Sequence, residues 1–141
     1  MATNDSTAVR AAERIYQAWA DGFANKDLEA ILALYAPNAT LESPLVNTLL
    51  KTERGIVEGR ENLRHFFDII ISSTPPLNKR HRESFFTDGR TMIWEYPRLT
   101  PTGEQPEMAE VMKIENGLIV AHRIYWGWAS TKLLQQDSYR A

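Results

Sequence analysis

The chain has 141 residues, of which 43% are hydrophobic, and this suits one globular domain with its own core. Charges of both signs are interspersed and sum to -2, so the chain lacks the basic footprint expected of a nucleic-acid-binding protein. It has no cysteine, which excludes disulfides, thiolate catalysis and cysteine metal ligands. No apolar run approaches the roughly 20 residues that span a bilayer, and the first residues lack a signal-peptide core. We therefore expect a cytoplasmic protein without membrane or nucleic-acid partners.

Two amphipathic helices are predicted at the start of the chain. Residues 9–24 form the first, because large apolar side chains recur there at helical spacing. Asp27 can cap the second helix, for which Pro37 is the expected stop. The apolar stripes consist of Ala12, Tyr16, Trp19 and Phe23 in the first helix, and of Leu28, Ile31, Leu34 and Tyr35 in the second.

The middle of the chain is less regular. Residues 39–44 predict a short strand, and residues 45–58 are compatible with either a loop or a strand. A third helix is predicted to begin at Gly59 and to end before the segment Thr74-Pro75-Pro76. Its apolar face consists of Leu63, Phe66, Phe67 and Ile70.

The second half of the chain changes to a period of two, which is the spacing of β-strands. Four strands are predicted, and turn residues separate them. The strands cover residues 81–87, 91–99, 107–115 and 118–128, and the connections are Asp88-Gly89, Pro101-Thr102-Gly103 and Asn116-Gly117. Helices followed by hairpin-linked strands indicate an α+β fold with an antiparallel sheet.

Glu110 is the residue of this sheet that most needs an explanation. Alternation places it on the same strand face as Met108, Met112 and Ile114, which are all apolar. A carboxylate that is buried on such a face is costly unless it is paired, protonated or functional. Glu110 is therefore a candidate catalytic residue.

The turn after this strand decides which residue faces Glu110. A two-residue turn at Asn116-Gly117 pairs Glu110 with Arg123, and a three-residue turn that starts at Glu115 pairs it with His122. The three-residue turn gives the better apolar matching across the strands, so we prefer it. Glu110 and His122 then form a carboxylate–imidazole pair, which either acts as an acid–base couple or satisfies two buried polar groups.

Several segments resemble the nuclear transport factor 2-like superfamily, which includes ketosteroid isomerase and polyketide cyclases of the SnoaL type. They are residues 26–44 (KDLEAILALYAPNATLESP), residues 59–63 (GRENL), and Glu110-Val111-Met112-Lys113 followed by Tyr125-Trp126. The resemblance implies a cystatin-like, ketosteroid isomerase-like cone, in which three N-terminal helices pack on a strongly curved antiparallel or mixed sheet around an apolar pocket. It also implies a homodimer that forms through the outer face of the sheet. Residues 1–8 are then expected to be flexible, and residues 9–141 to form a single SnoaL-like domain.

Transferring the isomerase residues to this chain gives a partial match. Glu110 falls where the isomerase has the protonated aspartate of its oxyanion hole, Trp126 on a pocket aromatic and Tyr35 on a supporting tyrosine. Ser43 falls on the position of the catalytic aspartate, and Trp19 on that of the oxyanion-hole tyrosine. A serine without an adjacent base cannot abstract an α-proton, so steroid isomerisation by the usual mechanism is not expected.

Further side chains are expected around the same pocket. Glu42 is interpreted as a solvated strand residue that a small register change would turn towards the pocket, and Trp94 and Tyr96 share a strand face with Met92. The expected substrate-binding residues are Trp19, Tyr35, Glu42, Ser43, Trp94, Tyr96, Met112 and Trp126, and the expected catalytic residues are Glu110 and His122. The basic cluster Lys79-Arg80-His81-Arg82 is interpreted as a solvated rim.

The sequence is compatible with two classes of function. The sequence contains no metal-binding constellation and no phosphate-binding glycine loop, so no metal or cofactor is expected. The first class is an isomerase, cyclase or hydrolase that uses acid–base chemistry on an apolar oxygenated molecule of the steroid, polyketide or terpenoid kind. The second is a non-catalytic module that binds a small hydrophobic molecule or a protein with the same fold.

Overall fold

The computed structural model describes residues 6–73, 85–97 and 107–135 of the chain. In chain order, the helices are α1 (Ser6–Ala24), α2 (Leu28–Leu32), α3 (Pro44–Leu50), α4 (Arg60–Ser73) and α5 (Trp128–Gln135). The strands are β1 (Tyr35–Glu42), β2 (Ile56–Glu58), β3 (Phe85–Thr87), β4 (Thr91–Pro97), β5 (Glu107–Glu115) and β6 (Leu118–Trp126). None of these helices is long and apolar enough to cross a membrane.

The strands form one curved, open sheet in the order β2-β1-β6-β5-β4-β3. Strands β1 and β6 run parallel, and every other neighbouring pair among these six runs antiparallel. Helices α1, α2 and α4 share one buried apolar core with the sheet face that they cover, which we call the inner face. The predicted α+β fold, with three main helices packed on a curved mixed sheet, is confirmed.

Helix α2 begins as predicted but ends earlier. The Asp27 carboxylate accepts a hydrogen bond from Ala30 N at 3.0 Å and so caps the helix. The helix ends at Leu32, so the predicted stop at Pro37 is wrong, and the strand predicted over residues 39–44 begins too late. Tyr35 already starts β1, because long-range pairing with β6 outweighs the local helical period.

Pro37 fits inside β1 because the strand pairing is irregular there. The parallel pairing with β6 shifts register between Tyr35 and Thr40. A proline lacks a backbone N–H and is tolerated in a strand where no ladder bond requires that donor. The irregular pairing therefore accommodates Pro37 inside a strand, although the sequence pattern predicted that this proline ends a helix.

The ambiguous residues 45–58 contain α3 and β2. Ser43 caps α3, since its hydroxyl oxygen accepts a hydrogen bond from Leu45 N at 3.1 Å, and Pro44 stands in the first turn of the helix. At the end of the sheet, β6 stops at Trp126, so its predicted extension to Trp128 is wrong. Trp128 begins α5 and is exposed.

The remaining predictions concern the third helix, the four strands and the segments that connect them. The third helix is confirmed as α4, and strands are confirmed within all four predicted strand ranges. The basic cluster at 79–82, the connection at 101–103, and the ends of two strands at 81–84 and 98–99 lie outside the described residues.

The turn between β5 and β6 has two residues, so the preferred three-residue turn is wrong, and a bulge beyond the turn gives Glu110 a partner that neither alternative predicted. Asn116 and Gly117 both have positive φ angles, 50° and 75°, as a two-residue type I′ turn requires. Glu115 therefore pairs with Leu118, but the register then shifts, and Val120 is left as an extra residue in β6. Beyond this bulge, Glu110 lies opposite Ile124 instead of Arg123 or His122.

The bulge decides which side chains of β6 point inwards. In a regular strand, Ile119 and His122 would lie on opposite faces, because their separation is odd. With Val120 inserted, both are buried in the core. His122 is opposite Met112 and diagonal to Glu110, so the predicted contact between Glu110 and His122 is made in a register that the sequence pattern did not indicate.

Candidate functional site

Four polar side chains form a continuous chain of hydrogen bonds inside the cone. Trp19 Nε1 lies 3.3 Å from the Tyr35 hydroxyl oxygen, which lies 2.8 Å from His122 Nδ1. His122 Nε2 lies 2.7 Å from Glu110 Oε2. The accessible fraction of His122 is 1% and that of Glu110 is 0%. This group, which we call the polar chain, joins α1, β1, β6 and β5.

The donors of the polar chain fix the tautomer of His122. An indole nitrogen only donates, so the Tyr35 oxygen accepts from Trp19 and the Tyr35 O–H is left to donate. His122 Nδ1 is the acceptor within reach of that hydrogen, and Nε2–H then donates to Glu110. A proton on Nδ1 would leave the buried Tyr35 O–H without an acceptor among the described residues, which costs about 1–3 kcal/mol.

All three hydrogen bonds therefore point towards Glu110. Successive bonds of the same direction polarise one another, and bonds that end on an anion are the strongest kind. The arrangement places the imidazole proton on Nε2, where it is donated to Glu110.

The Tyr35 phenol stays protonated in this environment. Burial raises the pKa of Tyr35 well above its usual value, the hydrogen bond from Trp19 lowers it, and the nearby Glu110 charge raises it again. Tyr35 can therefore donate to His122 throughout the neutral pH range.

Surrounding groups hold the polar chain in place. The Tyr35 and His122 rings are stacked with centroids 6.1 Å apart, and the Trp19 ring meets the His122 ring edge-on at 6.0 Å. Arg60, the first residue of α4, donates from a terminal guanidinium nitrogen to the Tyr35 backbone oxygen at 2.5 Å. Both the ring and the backbone of Tyr35 are thus fixed by neighbouring elements.

A groove opens at the end of β1, where β6 extends beyond it and stays paired only with β5. We call it the edge groove; its volume is about 610 Å³. It is lined by Glu42, Ser43, Pro44, Asn47, Gly55, Arg123, Ile124, Tyr125 and Trp126. Ile124 lies directly opposite Glu110 in the sheet, so the groove is one strand away from the buried carboxylate.

The predicted site residues fall into two groups. Trp19, Tyr35, Trp94 and Met112 are buried around Glu110 and His122 on the inner face. The other group, Glu42, Ser43 and Trp126, lines the edge groove. The side chain of Tyr96 lies outside the described residues, although its backbone pairs with Met108.

Two residues of the second group already have structural partners. The Glu42 carboxylate accepts a hydrogen bond from Arg123 Nε at 2.6 Å, and the half-exposed pair lies at the mouth of the groove. Ser43 caps α3. The structure thus uses Ser43 as a helix cap at the position where the isomerase resemblance requires a catalytic base.

Sequence reasoning missed two features of this site. The link from Tyr35 to His122 was hidden because Tyr35 was assigned to a helical stripe. The position of Ile124 between groove and carboxylate depends on the bulge at Val120. Within the described ranges, no three His, Asp or Glu side chains converge as a metal site would require.

Replacing Tyr35 by Phe should destabilise the protein by about 1–3 kcal/mol near neutral pH, because buried partners on Trp19 and His122 lose their hydrogen bonds. The folded-state pKa of Tyr35 is raised, so its stabilising effect is complete below the unfolded value of about 10 and is lost as the pH rises further. Urea unfolding of both proteins should show a stability difference that shrinks above about pH 10. A difference that stays constant or grows there would contradict this assignment.

Comparison with known proteins agrees with the geometry. The family described as a SnoaL-like domain matches residues 16–122. No curated protein matches the sequence.

Solved structures of the same fold are numerous. A SnoaL-like protein of unknown function from Burkholderia thailandensis has a TM-score of 0.71 and 18% identity, covering 84% of this chain and 95% of that chain. An NTF2-like protein from Anabaena variabilis has a TM-score of 0.69 and 17% identity, covering 90% of this chain and 94% of that one. TerC, co-crystallised with polyporic acid, has a TM-score of 0.70 and 14% identity, covering 89% and 98%. The protein has the fold of the NTF2-like structures, and because the family match spans most of the chain, it belongs to the SnoaL-like domain family.

Proposed function

We propose that this protein is an enzyme that moves protons on an apolar, oxygen-bearing small molecule, with Glu110 as the group that exchanges a proton with the substrate. The observation that carries the proposal is the complete burial of Glu110 at the accepting end of the polar chain. His122 orients the carboxylate, and Tyr35 holds His122 in the required tautomer. Substrates of the steroid, polyketide or terpenoid kind fit the apolar surroundings, and the chemistry is of isomerase, cyclase or hydrolase type.

The energetic cost of the polar chain supports a function beyond packing. Buried charged or polar clusters are often no more stabilising than apolar side chains of the same volume. Met108 and Met112 flank Glu110 on the same strand face, so an apolar residue at this position would continue the core. Ionisable groups held in low-polarity surroundings with specific partners are concentrated at functional sites.

The edge groove supplies a route for a ligand. Ile124 and Trp126 line it from the inner face, whereas Arg123 and Tyr125 belong to the outer face of the same strand. A ligand that enters across Ile124 meets Glu110 on the adjacent strand. The neighbouring structure of TerC with polyporic acid shows that a protein of this fold was crystallised with a small organic molecule, which supports a small-molecule role here.

A non-catalytic ligand-binding role is the second candidate. Both ring nitrogens of His122 are already engaged, with Tyr35 and Glu110, so the imidazole has no free nitrogen for a substrate. Ser43, at the position of the isomerase base, serves as a helix cap. In this second role, the polar chain would only shape the inner end of a binding site.

Replacing Glu110 by Gln separates these two roles. The variant keeps the shape and an oxygen acceptor for His122 Nε2–H, but it cannot take up a proton. With a panel of cyclic ketones and polyketide-like phenols in D₂O, NMR should detect deuterium exchange at acidic C–H bonds with the wild type. Exchange should fall at least roughly a hundredfold in E110Q.

Glu115 provides the matched control, because it is an exposed glutamate on the same strand. The E115Q variant should exchange at the wild-type rate. Equal exchange rates in E110Q and the wild type would remove Glu110 from the chemistry and favour the ligand-binding role.

We also propose that the outer face of the sheet forms a two-fold homodimer. Phe86, Ile93, Val111 and Arg123 lie side by side across β3, β4, β5 and β6. Phe86 is 77% exposed, Ile93 43% and Tyr125 55%, so large apolar groups face outwards on neighbouring strands. Aromatic residues and arginine are enriched at protein interfaces.

Light scattering at micromolar concentration should give twice the chain mass of 16.1 kDa. The I93E variant should be monomeric, because it places a charge at the centre of the apolar row. W128E alters an exposed aromatic residue on α5 and should remain dimeric. A monomeric wild type would refute the dimer.

A further inference from the structure

Trp94 is a buried tryptophan whose indole N–H has no hydrogen-bond partner among the described residues. Its accessible fraction is 1%, so bulk water does not reach the donor. The contrast with Trp19 is informative, because the Trp19 indole donates to Tyr35. A buried donor without an acceptor costs about 1–3 kcal/mol, and such groups need an explanation.

The ring of Trp94 is otherwise well packed. Its centroid lies 5.6 Å from that of Trp19 and 5.3 Å from that of Tyr16, both with edge-on geometry. These are favourable arrangements for aromatic pairs. The core therefore fixes the position of the indole while leaving its polar atom unused.

The position of Trp94 in the sheet relates this unused donor to the proposed site. Trp94 pairs with Glu110, and Glu110 pairs with Ile124, so the three residues form one row across β4, β5 and β6. Neighbouring strands are about 4.8 Å apart, so the row spans roughly 10 Å, the length of a two-ring molecule. The row begins at the edge groove and ends at the indole.

We infer that Trp94 and Glu110 together bind a hydroxyl group of the substrate. The hydroxyl oxygen accepts a hydrogen bond from Trp94 Nε1, and the hydroxyl hydrogen is donated to the Glu110 carboxylate. A carboxylate has about four lone-pair sites, so Glu110 accepts this hydrogen in addition to the one from His122. The inference rests on the proposed function and narrows its substrate class to apolar alcohols, phenols and enols.

The choice of a hydroxyl follows from the pairing of a residue that carries a donor, Trp94, with a residue that carries an acceptor, Glu110. A carbonyl or ether oxygen would satisfy the indole but offer nothing to the carboxylate. An anionic ligand oxygen would likewise bring no hydrogen to donate to Glu110. A hydroxyl carries a donor and an acceptor on one atom and satisfies both groups.

The test uses 2-naphthol and naphthalene, which differ by one hydroxyl. The four tryptophans of the chain give four indole N–H signals in a ¹H–¹⁵N spectrum, and W94F assigns the one from Trp94. In the free protein, this proton should resonate upfield, as an indole without a hydrogen bond does. Saturation with 2-naphthol should move it downfield, and naphthalene should not.

Variants test the same hydrogen bond through affinity. W94F keeps an aromatic ring in the row but removes the N–H, so 2-naphthol should lose roughly fivefold more affinity than naphthalene loses. W128F is the matched control, since Trp128 is exposed on α5, and it should bind both probes like the wild type.

Any one of four results would overturn the inference. The Trp94 proton could already be downfield in the free protein, which would mean that a buried water or another group satisfies it. It could move equally with both probes, or with neither at saturation. A shift at Trp126 without a shift at Trp94 would reject the Trp94 subsite while leaving the edge groove as a binding site. Loss of deuterium exchange in E110Q is measured separately and does not depend on these shifts.

Discussion

The hydrogen bonds that connect Trp19, Tyr35, His122 and Glu110 are the constraint on which the rest of the structure depends. The partners of the three bonds are separated by 16, 87 and 12 positions in the sequence, respectively. The elements α1, β1, β5 and β6 must therefore all be in place before the hydrogen bonds can form. The parallel pairing of β1 with β6 brings the Tyr35 ring to His122. Without any one of these elements, a buried donor or acceptor would lose its partner, at a cost of about 1–3 kcal/mol for each group.

This dependence accounts for two irregular features of the sheet. The extra residue Val120 turns both Ile119 and His122 inwards, so β6 contributes to the apolar core at one end and to the polar chain further along. β1 ends at Glu42, next to Ser43, which caps α3, and this leaves the end of β6 to form one wall of the edge groove. Bulges and early strand ends are common next to functional sites because they redirect side chains and open sheet edges. Here they place a buried carboxylate one strand away from a groove.

Much of the fold and part of the candidate site could be predicted from the sequence. The predictions that were wrong have identifiable physical causes. The spacing of apolar residues was sufficient to predict α1, α4 and the buried face of β5, because local spacing determines which side of an element is buried. The same period misassigned Tyr35 to a helix, since pairing with a strand more than 80 residues away decides its conformation. The turn residues indicated a hairpin, but a bulge three residues after Gly117 changed the register. The predicted contact between Glu110 and His122 forms although the register was wrong, because long side chains also reach diagonal neighbours on the same face of a sheet.

The hydrogen bonds require that His122 carries its proton on Nε2 and that the chain of donors ends on an oxygen of Glu110. Long-range ¹H–¹⁵N correlation of the imidazole at about pH 7 tests this directly, with His122 assigned among the three histidines of the chain by substitution. We predict an unprotonated Nδ1 that accepts a hydrogen bond and a protonated Nε2. A proton on Nδ1, either alone or in an imidazolium, would reverse the bond to Tyr35 and contradict the account.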